Sequence, residues 1–76
     1  MKVKVYSTPS CPWCKKTKEF LKENKIPFTD IDVASDQEAT KEMIEKSGHT
    51  GVPVIDIGGK IIVGFDEEKL KEVLKL

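Results

Sequence analysis

Two cysteines separated by two residues are the part of this sequence best suited to chemistry. Cys11 and Cys14 are the only cysteines, and the only tryptophan, Trp13, lies between them. The pair follows an apolar-alternating run and opens a helical pattern that extends to about Asn24. A Cys-x-x-Cys pair at a strand-to-helix junction is typical of a thiol–disulfide active site. The pair could also supply half of a metal site or be two structural thiols, and both interpretations stay open at this point.

The proline inside the pair predicts where the helix begins. Proline suits the first helical position, so Pro12 places Cys11 at the N-cap and Cys14 at the third helical position. Free backbone N–H groups and the helix dipole favour an anion at this end of a helix. We therefore predict that Cys11 attacks as a thiolate and that Cys14 resolves. Side chains at i and i+3 share a helix face, so the two can close a reversible disulfide.

Length and composition exclude several classes of function. The 76 residues predict one domain, residues 1–76, with a shallow groove rather than a deep cavity. Thirteen cations, all lysine, balance thirteen anions, which gives no general attraction to nucleic acid or anionic membranes. The sequence shows no apolar run of signal-peptide or membrane-spanning length, so we expect a cytoplasmic protein. There, paired cysteines are more often catalytic or metal-binding than structural.

The remaining chain predicts a mixed sheet with helices. Alternating apolar residues predict strands over residues 2–6, 28–33, 54–57 and 60–63. The Gly58-Gly59 pair predicts a tight hairpin between the last two strands. A capping box of Ser35 and Glu38 predicts the start of the second helix, and Asp66 is expected to cap the third. The order β-α-β-α-β-β-α predicts an α/β fold in which a four-stranded mixed β-sheet is flanked by three helices.

The buried face of each helix follows from its apolar spacing. The first helix is predicted to bury Thr17, Phe20 and Leu21. For the second helix the predicted buried residues are Ala39, Met43 and Ile44, and for the third they are Leu70, Val73 and Leu74.

Three motifs in this order resemble those of the glutaredoxins, small members of the thioredoxin superfamily. The motifs are Cys11-Pro12-Trp13-Cys14, Val52-Pro53 and Gly64-Phe65-Asp66. The resemblance covers essentially the whole chain and implies the thioredoxin-like fold. It also implies a dithiol oxidoreductase that reduces protein disulfides or glutathione-mixed disulfides, with glutathione as co-substrate and no tightly bound cofactor. The expected partners are disulfide-containing proteins and an electron donor, and the expected state is a monomer.

The resemblance also implies roles for residues around the cysteines. Trp13 is expected to flank the bound thiol substrate, and Pro53 is expected to follow a cis peptide bond that turns the Val52 backbone toward Cys11. Gly64, Phe65 and Asp66 stand where the family holds the amino-terminal end of glutathione.

The chain departs from the family at several of these positions. Many glutaredoxins carry a lysine shortly before the first cysteine, and this chain has Thr8 there. Gly51 replaces a common threonine, and the bulky Phe65 replaces a small residue. A neighbouring branch of this fold takes electrons from thioredoxin reductase, and that donor is the alternative to glutathione.

Metal binding and a non-catalytic adaptor role are the two hypotheses that compete with redox catalysis. Cys11, Cys14 and His49 fall short of the four Cys or His ligands of a usual structural zinc site. Some glutaredoxins bridge an iron–sulfur cluster between two chains with glutathione as co-ligand. The sequence predicts no resident metal, and the intact cysteine pair argues against an adaptor.

Overall fold

The computed structural model describes residues 2–75 and forms one four-stranded sheet with three helices. Met1 and Leu76, which belong to the predicted domain, lie outside the described residues. The strands are β1 (Val3–Ser7), β2 (Thr29–Asp32), β3 (Val54–Ile57) and β4 (Lys60–Val63). The helices are α1 (Pro12–Glu23), α2 (Gln37–Ser47) and α3 (Glu67–Leu74). The predicted element order is confirmed.

The sheet order is β2-β1-β3-β4, which places the strand that leads to the cysteines next to the centre. Strand β1 pairs parallel with β2 and antiparallel with β3, and β3 pairs antiparallel with β4. Tyr6 stands opposite Val54, so the end of β1 and the beginning of β3 meet at one edge of the sheet. The loops that carry Cys11 and Pro53 both leave from that edge.

Alternation along the strands gives the sheet two apolar faces. One face packs with Phe20 and Leu21 of α1 and Leu70 of α3. On the opposite face, Met43 of α2 packs with Tyr6 and Val54. Because both faces are covered, the strand ends that hold the candidate site are fixed from both sides.

Helix α1 begins and ends as its sequence predicts. Pro12 is its first residue, and the three residues predicted to be buried, Thr17, Phe20 and Leu21, are buried. The helix ends at Glu23 with Asn24 as its C-cap, and the next residue, Lys25, is left-handed (φ 57°). The N–H of Ile26 then donates to the Leu21 carbonyl at 2.9 Å. This bond caps a carbonyl that the helix itself leaves free.

The N-cap of α2 differs from the prediction. Asp36, not Ser35, caps the helix, and its Oδ1 accepts the N–H groups of Glu38 (3.0 Å) and Ala39 (3.1 Å). The Ser35 hydroxyl instead donates to the Asp32 carbonyl at 3.4 Å, which closes the turn after β2. The predicted capping box is therefore wrong, and the helix begins one residue later.

Replacing Asp36 by Ala is expected to lower the free energy of unfolding by about 1 kcal/mol, because two N–H groups at the helix start lose their acceptor. The matched control is Ser35→Ala, for which we expect a change within about 0.5 kcal/mol. Urea unfolding of the two variants makes the comparison. An equal or larger loss for Ser35→Ala would show that the cap lies at Ser35 after all.

Helix α2 is also rotated relative to the prediction, so that Ile44 is 37% exposed rather than buried. The rotation brings Lys46 onto the sheet, where its Nζ lies 2.8 Å from Asp56 Oδ2 and donates to the Tyr6 hydroxyl at 3.2 Å. Glu42 Oε1 lies 2.9 Å from the same Nζ. Hydrogen bonds that the Lys46 ammonium donates to Asp56 and Glu42 raise the pKa of Lys46. These contacts place Lys46, rather than Ile44, beside Tyr6 and Asp56 of the sheet.

Glycines shape the second half of the sheet at two points. Gly58 and Gly59 have φ values of 56° and 96°, which the tight turn of the β3–β4 hairpin requires and glycine adopts without steric cost. Gly64 has φ 80° at the end of β4, and its N–H donates to the Pro53 carbonyl at 2.8 Å. That bond ties the loop before α3 to the loop before β3. Among residues 2–75, no helix is both long and apolar enough to cross a bilayer.

Candidate active site

Cys11 lies at the N-cap of α1 and is partly exposed. Its Sγ accepts the backbone N–H of Cys14 at 3.1 Å and lies 3.9 Å from the Val52 carbonyl oxygen. The preceding loop fixes the residue, because the Cys11 N–H donates to the Thr8 carbonyl at 3.3 Å. An N–H that points at sulfur at a helix N-terminus stabilises a thiolate there.

Cys14 lies one turn further along α1 and has no exposed surface. Burial, followed by hydrogen bonding and charge from Cys11, raises the pKa of the Cys14 thiol to about 11. The Thr8 backbone and the charge of Lys18 act in the opposite direction. The two cysteines are free thiols in this structure, one accessible and one protected.

The Val52–Pro53 segment lies directly against Cys11. The peptide bond between the two residues is cis, and Pro53 is buried where β3 begins. Val52 is half-buried and packs beside the Tyr6–Met43–Val54 cluster. Its carbonyl is the group that faces Cys11 Sγ. The structure therefore brings together the first two of the three motifs.

Aromatic side chains form the wall between α1 and α3. The exposed Trp13 (55%) stacks on Phe65 with ring centroids 6.3 Å apart and an interplanar angle of 28°. Phe65 in turn meets the edge of Phe20 at 6.0 Å. Lys16 Nζ lies 4.7 Å above the Trp13 ring, which is a cation–π contact. The third motif thus joins the first through the stacked pair of Trp13 and Phe65.

The third motif also begins α3. Asp66 is its N-cap, and one carboxylate oxygen accepts the Lys69 N–H at 3.2 Å. Glu67 and Glu68 follow in the first turn. This side of the wall is therefore acidic, whereas Lys15 and Lys16 make the α1 side basic.

One polar cluster, which includes Lys18 four positions after Cys14, was missed by sequence reasoning. The hydroxyl of Ser7, 2% exposed, donates to Asp30 Oδ1 at 2.7 Å, and Lys18 Nζ contacts Asp30 Oδ2 at 3.1 Å. Although burial opposes it, hydrogen bonds from Ser7 and Lys18 lower the pKa of Asp30. The residues are far apart in sequence and belong to β1, β2 and α1, so no local spacing could reveal them. The charge of Lys18, one turn after Cys14, is the local feature that could have indicated this cluster.

The described residues offer little to a metal ion. Between residues 2 and 75, no three Cys, His, Asp or Glu side chains converge as metal ligands would. His49 lies in the exposed loop before Gly51, where its backbone N–H donates to the Ser47 hydroxyl at 3.1 Å.

The sequence and the fold both match known proteins. Residues 3–62 match the glutaredoxin family model. The chain belongs to the glutaredoxin family. It is 51% identical over 73 residues to an uncharacterized glutaredoxin-like 8.6 kDa protein in a rubredoxin operon of Clostridium pasteurianum, and the match covers 96% of this chain and 97% of that protein. The family makes this chain a thiol redox protein with the general activity of a thiol–disulfide oxidoreductase.

Solved structures show the same fold. This glutaredoxin superposes on glutaredoxin Grx-1 of Archaeoglobus fulgidus with a TM-score of 0.91 at 34% identity, covering 99% of this chain and 87% of the other. It also superposes on NrdH-redoxin of Escherichia coli, a glutaredoxin-like protein with a thioredoxin-like activity profile. There the TM-score is 0.84 at 25% identity, with 95% of this chain and 93% of the other covered. The predicted thioredoxin-like fold is confirmed.

Proposed function

We propose that this glutaredoxin is a dithiol oxidoreductase in which Cys11 attacks a disulfide and Cys14 resolves the product. The observation that carries the proposal is the difference between the two thiols. Cys11 is accessible and accepts an N–H at a helix N-terminus, whereas Cys14 is buried and has a pKa raised to about 11. A thiolate is the nucleophile in disulfide exchange, so the accessible sulfur is the one suited to attack.

The proposed reaction has two exchange steps. The Cys11 thiolate attacks one sulfur of a substrate disulfide, forms a mixed disulfide and releases the other sulfur as a thiolate. The Cys14 sulfur then attacks Cys11 Sγ, which closes the Cys11–Cys14 disulfide and releases the second substrate thiol. The substrate gains two electrons and two protons, and the protein loses the same number. An external thiol donor returns the pair to its reduced form.

The surface around Cys11 suits an extended substrate. The backbone groups of Val52 lie beside the attacked sulfur and can pair with a substrate strand, as in strand addition to a sheet. Trp13 provides an exposed apolar wall on the other side. Disulfide-containing protein segments and glutathione-mixed disulfides are the proposed substrates, with glutathione as co-substrate and no resident cofactor. For the amino-terminal end of glutathione we propose Gly64 and Asp66.

A second candidate donor, thioredoxin reductase, is favoured by one specific observation. The Phe65 ring packs between the rings of Trp13 and Phe20, so a large apolar side chain occupies the space between the start of α1 and the start of α3. Phe65 belongs to the Gly64-Phe65-Asp66 motif that is proposed to hold glutathione, so its side chain occupies space beside that site. The similarity to NrdH-redoxin, with its thioredoxin-like activity profile, points to the same donor.

Parallel reduction of the oxidised protein tests the function and separates the donors. One reaction contains glutathione, glutathione reductase and NADPH, and the other contains thioredoxin reductase and NADPH. We expect mass spectrometry to show that the Cys11–Cys14 disulfide opens in at least one reaction. The matched variant Phe65→Ala is expected to increase reduction by glutathione if Phe65 restricts that site. If neither system opens the disulfide, the dithiol proposal is contradicted.

A further inference from the structure

We propose that Lys18, held by Asp30 and Ser7, is a positioning residue that favours the Cys14 thiolate during the resolving step. The proposal rests on the dithiol function above and adds a residue that the family motifs do not include. The observations are a cluster of three side chains, the helix position of Lys18 and the burial of Cys14.

The helix places Lys18 on the same side as the resolving cysteine. Lys18 follows Cys14 by four positions, and residues at this spacing are neighbours on a helix surface. The Lys18 side chain is only 25% exposed, so it lies along the protein rather than extending into solvent. It is held there by Asp30 Oδ2 at 3.1 Å, and Asp30 is held in turn by the buried Ser7 hydroxyl at 2.7 Å.

The resolving step needs a charge that the site otherwise disfavours. Burial is the largest effect on Cys14 and favours the neutral thiol. In the reduced protein, hydrogen bonding and charge from Cys11 add to that effect. Once Cys11 is joined to substrate it carries no charge, so its electrostatic contribution disappears. The Thr8 backbone and Lys18 then favour the Cys14 thiolate against burial.

The charged groups around Cys14 come from three elements. Cys11 precedes it at the start of α1, Lys18 follows it on the same helix, and Asp30 faces Lys18 from β2. Lys22, one turn further, acts on Asp30 rather than on Cys14. Asp30 therefore holds Lys18 in place, and Lys18 supplies a positive charge four positions after the thiol on the same helix.

The proton and electron balance of the step needs no additional reactant. The mixed disulfide at Cys11 and the Cys14 thiol become the Cys11–Cys14 disulfide and one free thiol. The proton that leaves Cys14 is matched by the proton that the departing thiolate takes up. Lys18 remains protonated throughout and acts only through its charge.

The test uses the chromogenic disulfide 5,5′-dithiobis(2-nitrobenzoate) with the reduced full chain. Attack by Cys11 releases one thionitrobenzoate, and attack by Cys14 on the resulting mixed disulfide releases a second. The rate of the second release is recorded from pH 6 to 11. A Cys14 pKa about half a unit higher leaves about threefold less thiolate at pH 7. A thiolate of higher pKa is the stronger nucleophile, which offsets part of that loss, so the second release slows by about twofold.

For Lys18→Gln we expect the first release to be unchanged, the second to be about twofold slower at pH 7, and its pH midpoint to move upward by about half a pH unit. Lys18→Arg should restore both values. Lys15→Gln, an exposed charge change on the same helix, should leave both values unchanged. The Lys18–Asp30 ion pair is partly exposed, and such pairs contribute little to stability, so Lys18→Gln is expected to fold.

The outcomes separate this inference from the proposed function. If Cys14→Ser still releases two thionitrobenzoates at the original rate, the dithiol mechanism fails. If Cys14→Ser releases only one, but Lys18→Gln keeps the original second rate and pH midpoint, only the role of Lys18 is overturned. An equal shift in Lys15→Gln would also overturn it, because any helix charge would then have the same effect.

Discussion

Cys11→Ser is expected to abolish the reduction of disulfide substrates, with a loss of about a thousandfold or more, down to the uncatalysed rate. The serine hydroxyl can accept the same Cys14 N–H, but it is not a thiolate at neutral pH and cannot form the mixed disulfide. Cys14 cannot substitute for it, since it is buried and protonated. The measurement is turnover of a small disulfide with an excess of a chemical reductant.

Ser10→Ala is the matched control for this experiment, because Ser10 is an exposed neighbour in the same loop. We expect the control to keep the activity of the original protein. Circular dichroism of both variants establishes that the fold is retained. Substantial turnover by a folded Cys11→Ser variant would contradict the assignment of Cys11 as the nucleophile.

Cys14→Ser is expected to stop the reaction after the first exchange step, with the substrate joined to Cys11 in a mixed disulfide. Without the neighbouring thiol, release of a protein substrate depends on external thiol, which lacks the advantage of an intramolecular reaction. We expect reduction of a protein disulfide to slow by about a hundredfold. Intact-mass spectrometry should show a stable adduct, and peptide mapping should place it at Cys11.

Cys14→Ala provides an independent second variant, since serine introduces a hydroxyl into a fully buried position. Both variants should accumulate the same adduct, and both should still react with a small disulfide at the original first-step rate. If a protein disulfide is reduced at the full rate with no adduct, Cys14 has no resolving role.

Local signals in the sequence were sufficient for much of the fold. The Gly58-Gly59 turn and its flanking alternation predicted the bounds of β3 and β4, because the hairpin depends on residues adjacent in sequence. Pro12 likewise predicted the start of α1, because its preference for the first helical position is intrinsic. The same argument placed Cys11 at the helix N-terminus.

Other features depended on contacts between distant residues. Ser35 and Asp36 are both good helix caps, and the turn formed with Asp32 decided between them. Ile44 fits the apolar spacing of α2, yet it is exposed, and Lys46 contacts Asp56 of the sheet from ten positions away in sequence.

In the candidate site too, local sequence signals predicted some features, and contacts between distant residues determined the others. The motifs predicted which residues carry the chemistry, but not how they contact one another. The stacking of Phe65 on Trp13 joins residues 52 positions apart and depends on how α1 and α3 pack on one face of the sheet. The cluster of Ser7, Lys18 and Asp30 requires β1, β2 and α1 to be in place together.

Selective alkylation of the reduced protein tests the different roles of the two cysteines most directly. The protein is treated at pH 7 with a limiting amount of iodoacetamide, and peptide mapping by mass spectrometry locates the label. We predict that Cys11 takes the label while Cys14 is spared. Labelling of Cys14 should increase only as the pH approaches about 11, where its thiol ionises. Equal labelling of both cysteines at pH 7, or preferential labelling of Cys14, would contradict the account.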